Sequence, residues 1–117
     1  MSKMSIKVSI AVDALHCWPN APDHRSYLRY SHRHKFHVTA CAKVSHAERM
    51  IEFHDMQDRL KEAILSLATE KSRSKGVLDF ASASCETIGQ KVLELLPYAD
   101  LVEVIEDEDC GAVIERG

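Results

Sequence analysis

Two stretches near the beginning of the chain alternate between apolar and polar residues. Residues 5–17 place their apolar side chains at even positions, and residues 32–44 repeat the pattern. A period of two predicts strands that each bury one face. The even positions of these predicted faces are Ile6, Val8, Ile10, Val12, Ala14, His16, His32, His34, Phe36, Val38, Ala40, Ala42 and Val44.

Helical spacing follows in the middle of the chain. It predicts one helix over about residues 54–70 and a second that Ser84 can cap, with Glu86 in its first turn and Pro97 at its end. The apolar positions are Phe53, Met56, Leu60, Ile64 and Leu67 in the first helix, and Ile88, Val92, Leu95 and Leu96 in the second.

The closing residues, LVEVIEDEDCGAVIE, indicate two strands around an acidic turn. The element order is therefore β-β-α-α-β-β, which predicts an α+β fold with a mostly antiparallel sheet and two helices on one face. Residues 18–31 form an unusually long loop, and long loops in compact domains are often functional.

Composition narrows the class of protein. With 117 residues, a single domain spanning residues 1–117 is expected. The net charge of −3 argues against binding to nucleic acid or to a membrane surface. The four cysteines form no C-x-x-C pair, and no apolar stretch approaches the roughly 18 residues of a membrane span. A cytoplasmic protein is expected.

Three histidines fall on the predicted buried faces. His32 and His34 are two residues apart on one strand, so their side chains point to the same side about 6.5–7 Å apart. His16 ends the preceding strand on the matching face, so the three imidazoles converge if the strands pair. Three protein ligands and an open fourth position are typical of catalytic zinc. The alternative is that all three are ordinary polar residues at strand ends.

Glu106 is a second candidate for binding. It follows Val102 and Val104 on one strand face. A carboxylate on a buried face needs a partner, because an unpaired buried charge is costly. A ligand with two adjacent N–H donors would suit it, whereas the alternative is a strand-end glutamate that faces water.

Five segments in order resemble 6-pyruvoyltetrahydropterin synthase and the bacterial 6-carboxytetrahydropterin synthase. VDALHCWP is similar to the family's F-x-A-x-H, with His16 as the first zinc ligand, and HRHKF to H-G-H-x-Y/F, with His32 and His34. MIEF resembles a strand that runs into the first helix. SCET resembles T-S-E, with Glu86 at the matching place, and VIEDEDCGAVIERG resembles V-x-E-T, with Glu106 as the carboxylate that anchors the pterin.

This resemblance implies the tunnelling fold, in which subunits join their sheets into a barrel. It also implies bound Zn²⁺, a pterin-like ligand and an active site at a subunit interface, usually in a homohexamer or another homo-oligomer. Glu106 would accept the amino and ring N–H groups of the ligand in a charge-assisted bidentate contact.

The chain departs from the family pattern where the catalytic side chains are expected. Leu28 stands at the position of the catalytic Cys, and Arg33 replaces the Gly of H-G-H. The family's L-D-H aligns with residues 67–69 or with residues 78–80, and neither supplies the His. Cys85 is expected to be a small apolar helix residue. Candidate replacements for the lost groups are Tyr27, Tyr30, His24 and Cys17, for each of which a plain loop residue is the favoured interpretation. Asp79, from the second L-D-H alignment, is a further candidate.

Three functions remain compatible with these residues. The first is a zinc-dependent lyase acting on a dihydropterin or a deazaguanine precursor. The second is a non-catalytic protein that captures a pterin or nucleobase-like molecule. The third is a diverged zinc hydrolase on the same fold.

Overall fold

A computed structural model describes residues 2–117 of the chain. Five strands and two α-helices are present among these residues, together with two 3₁₀ segments. In chain order the elements are β1 (Met4–His16), a 3₁₀ segment (Asp23–Arg29), β2 (His32–Val44), α1 (Phe53–Leu67), a 3₁₀ segment (Glu70–Ser74), β3 (Leu78–Asp79), α2 (Cys85–Leu95), β4 (Leu101–Glu106) and β5 (Cys110–Glu115).

The five strands form one sheet in the order β3-β1-β2-β4-β5. Strands β1 and β2 pair antiparallel along their whole length, from Met4 opposite Val44 to His16 opposite His32. Strands β4 and β5 continue the antiparallel pairing from β2. The predicted α+β architecture is confirmed.

The sheet contains one strand, at its edge, that the sequence did not predict. Strand β3 pairs with Ala14 and Leu15 of β1 in parallel, so the sheet is mixed and not wholly antiparallel. A strand of two residues is too short to show alternation in the sequence. It is recognised only by its pairing with β1. It also gives Asp79 a place in the sheet, opposite Leu15.

Both helices pack on the face formed by the even positions of β1 and β2. Helix α1 contacts β1, helix α2 contacts β4 and β5, and the two helices contact each other. Burial of each large aliphatic or aromatic side chain contributes about 1.5–3 kcal/mol. The largest fully buried side chains are Phe36, Met56, Leu60, Ile64, Ile88, Leu96, Val38, Val92, Val102 and Val104.

The helix ends follow local chemistry. The Ser84 side chain accepts a hydrogen bond from the N–H of Thr87, which confirms the predicted cap of α2. Helix α1 ends at Leu67, earlier than expected, because Ala68 is extended. Phe53 lies in the first turn but is 57% exposed, so the predicted apolar stripe begins at Met56.

Two connecting segments differ from expectation. Residues 50–52, expected to resemble a strand, form bends and the cap of α1. The loop over residues 18–31 contains a 3₁₀ segment. Arg29 stabilises this loop, because it donates a hydrogen bond to the carbonyl of Ala21 and forms an ion pair with Asp23. Within residues 2–117, neither helix has the length and apolar character that crossing a bilayer requires.

Candidate metal centre

Three imidazoles meet at the end of the β1–β2 ladder. One ring nitrogen from each of His16, His32 and His34 lies within 4.8 Å of those of the other two. The ring centroids are separated by 4.6 Å between His16 and His32, and by 4.9 Å between His32 and His34. The antiparallel pairing therefore brings the three predicted ligands together on one face of the sheet.

Hydrogen bonds fix the tautomer of each imidazole. The Nδ1 of His16 lies 2.9 Å from the carbonyl oxygen of Ala83, and the Nδ1 of His32 lies 2.9 Å from that of Tyr30. A carbonyl oxygen only accepts, so both Nδ1 atoms carry the proton. The Nδ1 of His34 lies 2.8 Å from the Asp107 carboxylate. All three rings thus keep Nε2 for a metal, which is the arrangement that supports zinc ligands in proteins.

Asp107 was not singled out by the sequence. It follows β4 with a positive φ of 56°, a conformation that aspartate tolerates better than most residues. The backbone N–H of Lys35 donates to its carboxylate at 3.0 Å. This hydrogen bond and the one from His34 hold the pKa of Asp107 below its ordinary value, which keeps the carboxylate ionised as an acceptor.

An apolar floor lies beneath the histidines. Phe36 is fully buried, and its ring meets those of His34 and Phe80 edge to face, with centroids 5.9 Å and 5.3 Å away. His16 itself is 8% exposed. These rings cover part of the cluster, whereas His32 and His34 are only half-buried.

The Glu106 carboxylate lies against the histidines. Its Oε1 is 3.2 Å from Nε2 of His16, and its Oε2 is 3.6 Å from Nε2 of His34. Since Nδ1 of His16 already carries a proton, a neutral ring would direct its Nε2 lone pair at this carboxylate. The carboxylate therefore faces the two Nε2 atoms that a metal ion would use.

The Glu106 carboxylate also contacts the thiol of Cys85. Its Sγ donates to Oε1 of Glu106 at 3.4 Å. Burial first, and then the negative charge of Glu106, raise the pKa of this thiol to about 12. Cys85 is therefore a neutral hydrogen-bond donor and not a thiolate nucleophile, which agrees with its expected place as a buried helix residue.

A cavity of about 460 Å³ opens beside the histidines. This volume is in the range that small-molecule ligands occupy. Glu86 and Glu106 contribute to its wall, and Trp18 lies at its rim, half exposed. Among residues 2–117, the lining includes neither lysine nor arginine. The cavity residues are His16, Cys17, Trp18, Leu28, His32, Ser82, Ala83, Ser84, Cys85, Glu86, Glu106, Cys110 and Gly111.

The other candidate residues lie in different places. Cys17 lines the cavity, as does Leu28 at the position of the family's cysteine. Tyr27 is 64% exposed and Tyr30 is 75% exposed, and neither belongs to the cavity lining. The remaining two candidates are also outside this lining: His24 is exposed in the 3₁₀ segment, and Asp79 uses its carboxylate to accept the N–H of Ala81.

The sheet, the helix pair and the histidine cluster define an α+β protein with a candidate zinc centre. No protein-family model and no curated protein sequence matches the chain. An uncharacterized protein from Wolinella succinogenes is similar in structure, with a TM-score of 0.70 and 14% identity over 100% of both chains. The 6-pyruvoyl tetrahydropterin synthase of Caenorhabditis elegans is also similar, with a TM-score of 0.61 and 12% identity over 100% of this chain and 98% of that chain. The expected fold of the single subunit is confirmed, and at these identities the likeness establishes that fold alone.

Proposed function

We propose that this chain holds Zn²⁺ through Nε2 of His16, His32 and His34 and uses it on a pterin-like ring bound in the adjacent cavity. The observation that carries the proposal is that all three histidines use the same ring nitrogen, Nδ1, for a hydrogen bond to the protein. All three Nδ1 atoms face hydrogen-bond acceptors, which leaves three neutral nitrogen donors for one ion. This donor set and an open fourth position suit catalytic zinc.

The reaction class that fits best is a zinc-dependent lyase acting on a dihydropterin or a deazaguanine precursor. Bound zinc would polarise a side-chain oxygen of the substrate and acidify the adjacent C–H. Glu106 would accept the N–H groups of the ring in a charge-assisted contact. Glu86 lies in the wall of the same cavity and is a second acceptor for the ligand.

A second function, capture without turnover, is favoured by the side chains around the cavity. Leu28 cannot move a proton, and Cys85 stays protonated beside Glu106. Of the candidate replacements for the family's catalytic groups, Cys17 alone lies in the cavity lining. A diverged zinc hydrolase is the third possibility, since an open zinc site also activates water.

Self-association is part of the proposal. Among the described residues, only Ala14 and Leu15 of β1 pair with a strand on the side away from β2. Strand β5 pairs with β4 alone. Exposed strand edges of this kind need covering, so we propose that copies of the chain join edge to edge in a homo-oligomer, with a homohexamer as the specific expectation. Analytical ultracentrifugation measures the subunit count, and a monomer at micromolar concentration would contradict it.

The four cysteines fit the proposed cytoplasmic location. All four are free thiols in the structure. Free thiols persist in the reducing cytoplasm, whereas oxidising compartments favour disulfides. Fractionation of cells that express the tagged protein tests the proposal, and recovery outside the cytoplasm would contradict it.

Metal analysis tests the zinc centre. Protein purified without chelators is expected to carry one zinc per chain, and H16A, H32A and H34A are each expected to lose it. H37A is the matched control, because His37 lies on the same strand opposite Ala11 and outside the cluster. Full metal content in all three variants, or none in the native chain, would refute the centre.

Ligand experiments separate the candidate activities. We would measure binding of dihydroneopterin and of its triphosphate by fluorescence, and then turnover of each with zinc present. The described lining residues include neither lysine nor arginine, so the metal-free protein is expected to bind the unphosphorylated ring at least as tightly as the triphosphate. E106Q is expected to weaken binding by about tenfold or more, because it replaces a charge-assisted acceptor. Tight binding without turnover would select the capture function.

A further inference from the structure

The three histidines differ in what accepts their Nδ1 protons. His16 and His32 donate to backbone carbonyls, whereas His34 donates to the Asp107 carboxylate at 2.8 Å. A carboxylate acceptor is charge-assisted, so its hydrogen bond is stronger than one to a neutral carbonyl. A carboxylate in this position also fixes the orientation of the ring, as such partners do for histidine ligands of metals.

The carboxylate of Asp107 is itself held in place by the neighbouring strand. Oδ1 accepts the N–H of Lys35 at 3.0 Å, while Oδ2 accepts from His34. The backbone N–H of Asp107 donates to the carbonyl of Lys35 at 2.6 Å. These two backbone contacts lie beside His34 in the sequence, so they orient the carboxylate relative to that ring.

We infer that Asp107 is a positioning residue for the metal centre, an inference that rests on the proposed function. It holds His34 as the Nδ1–H tautomer and directs Nε2 toward the other two imidazoles. The segment that resembles V-x-E-T has Asp107 at the position of the threonine, so the carboxylate is a feature of this chain. Because Asp107 directly follows Glu106, one turn supports both the metal ligand and the proposed ring acceptor.

Three variants test this role. D107G removes the side chain and keeps the turn, since glycine adopts a positive φ without strain. D107N removes the charge but keeps an oxygen that can accept from His34. E108Q is the matched control, because Glu108 lies in the same turn and E108Q makes the same change in charge without touching a histidine.

The measurements are zinc affinity by chelator competition, the His34 tautomer by ¹H–¹⁵N NMR, and thermal unfolding as a check of folding. D107G is expected to bind zinc at least about tenfold more weakly. Removal of the group that hydrogen-bonds to a metal ligand usually has an effect of this size. D107N should fall between D107G and the native chain, and E108Q should match the native chain. The native His34 should show its proton on Nδ1.

Two results would overturn the inference. One is unchanged zinc affinity in folded D107G, and the other is a native His34 with its proton on Nε2 in the metal-free protein. Failure of the proposed function looks different, because then the native chain takes up no zinc. In that case the tautomer of His34 still tests whether Asp107 orients the ring. A proton on Nδ1 of His34 in the native chain, and its loss from Nδ1 in D107G, would support the positioning role.

Discussion

The ring of Phe36 meets the ring of His16 edge to face, with centroids 5.2 Å apart and planes at 88°. Phe36 has no exposed surface. Phe36 therefore packs in the core and also contacts the histidine cluster, so its removal should affect both.

F36A is expected to lower the free energy of unfolding by about 3–5 kcal/mol, because it leaves a cavity in the core. Urea denaturation measures this change. F53A is the control, since Phe53 is 57% exposed and its loss should stay within about 0.5 kcal/mol of the native value. Equal losses in the two variants would contradict the role of Phe36 as a core residue.

The thiols should differ in their reaction with iodoacetamide. Cys110 is exposed, whereas Cys85 is buried and has its pKa raised to about 12 by burial and by Glu106. At about pH 8, Cys110 should be alkylated first and Cys85 last, because the thiolate is the reactive form. Mass spectrometry of the peptides follows the order.

The pH dependence of Cys85 has a definite sign. The folded pKa exceeds the ordinary value, so the associated stability is present below the unfolded pKa and is lost as the pH rises toward about 12. E106Q removes a negative charge beside the thiol, which lowers the Cys85 pKa and should speed its alkylation at a given pH. A slower reaction in E106Q would contradict this assignment.

The two tightly packed glycines should respond differently to alanine. A Cβ at Gly111 would collide with the backbone at Val104 and Ile105, whereas a Cβ at Gly89 would meet mainly the flexible end of the Ile114 side chain. G111A is expected to cost about 1–3 kcal/mol or more, and G89A less, because alanine favours a helix by about 1 kcal/mol. Thermal unfolding compares them, and a more stable G111A would refute the close approach.

Arg116 closes the C-terminal end of α2. Its Nη2 donates to the carbonyls of Leu93 at 2.7 Å and Leu96 at 3.0 Å, and its Nε donates to Ala99 at 2.9 Å. R116K cannot reproduce this planar set of donors. It should lose about 1–2 kcal/mol of stability in chemical denaturation.

K91A is the control for R116K. Lys91 is an exposed residue of the same helix, so removal of its charge should change stability by less than about 0.5 kcal/mol. Because R116K keeps the positive charge, a loss confined to R116K reports the guanidinium contacts, and an equal loss in K91A would contradict this assignment.

The sequence was informative where alternation is long. The alternation in residues 5–17 and 32–44 assigned each side chain to a face of its own strand. It put His16, His32 and His34 on faces that coincide once the two strands pair, and the structure shows that pairing. The fold class followed from the order of elements, and the structure confirms it.

The sequence was uninformative where contacts are distant or elements are short. Asp107 and His34 are 73 positions apart, and only the pairing of β2 with β4 brings them together. Strand β3 has two residues, which is too few for a period. Phe53 and Leu95 fall at helical spacing but are 57% and 50% exposed, because helical spacing assigns a face and does not show where the rest of the protein ceases to cover it.

The ladder between β1 and β2 has a further consequence. Strand β1 is 13 residues long and is paired from Met4 to His16. A slip of one rung would turn His32 and His34 away from His16, because neighbouring residues of a strand point to opposite faces. Zinc uptake would therefore report correct strand alignment, and a refolding experiment with a zinc-sensitive dye would detect misaligned chains that circular dichroism counts as native.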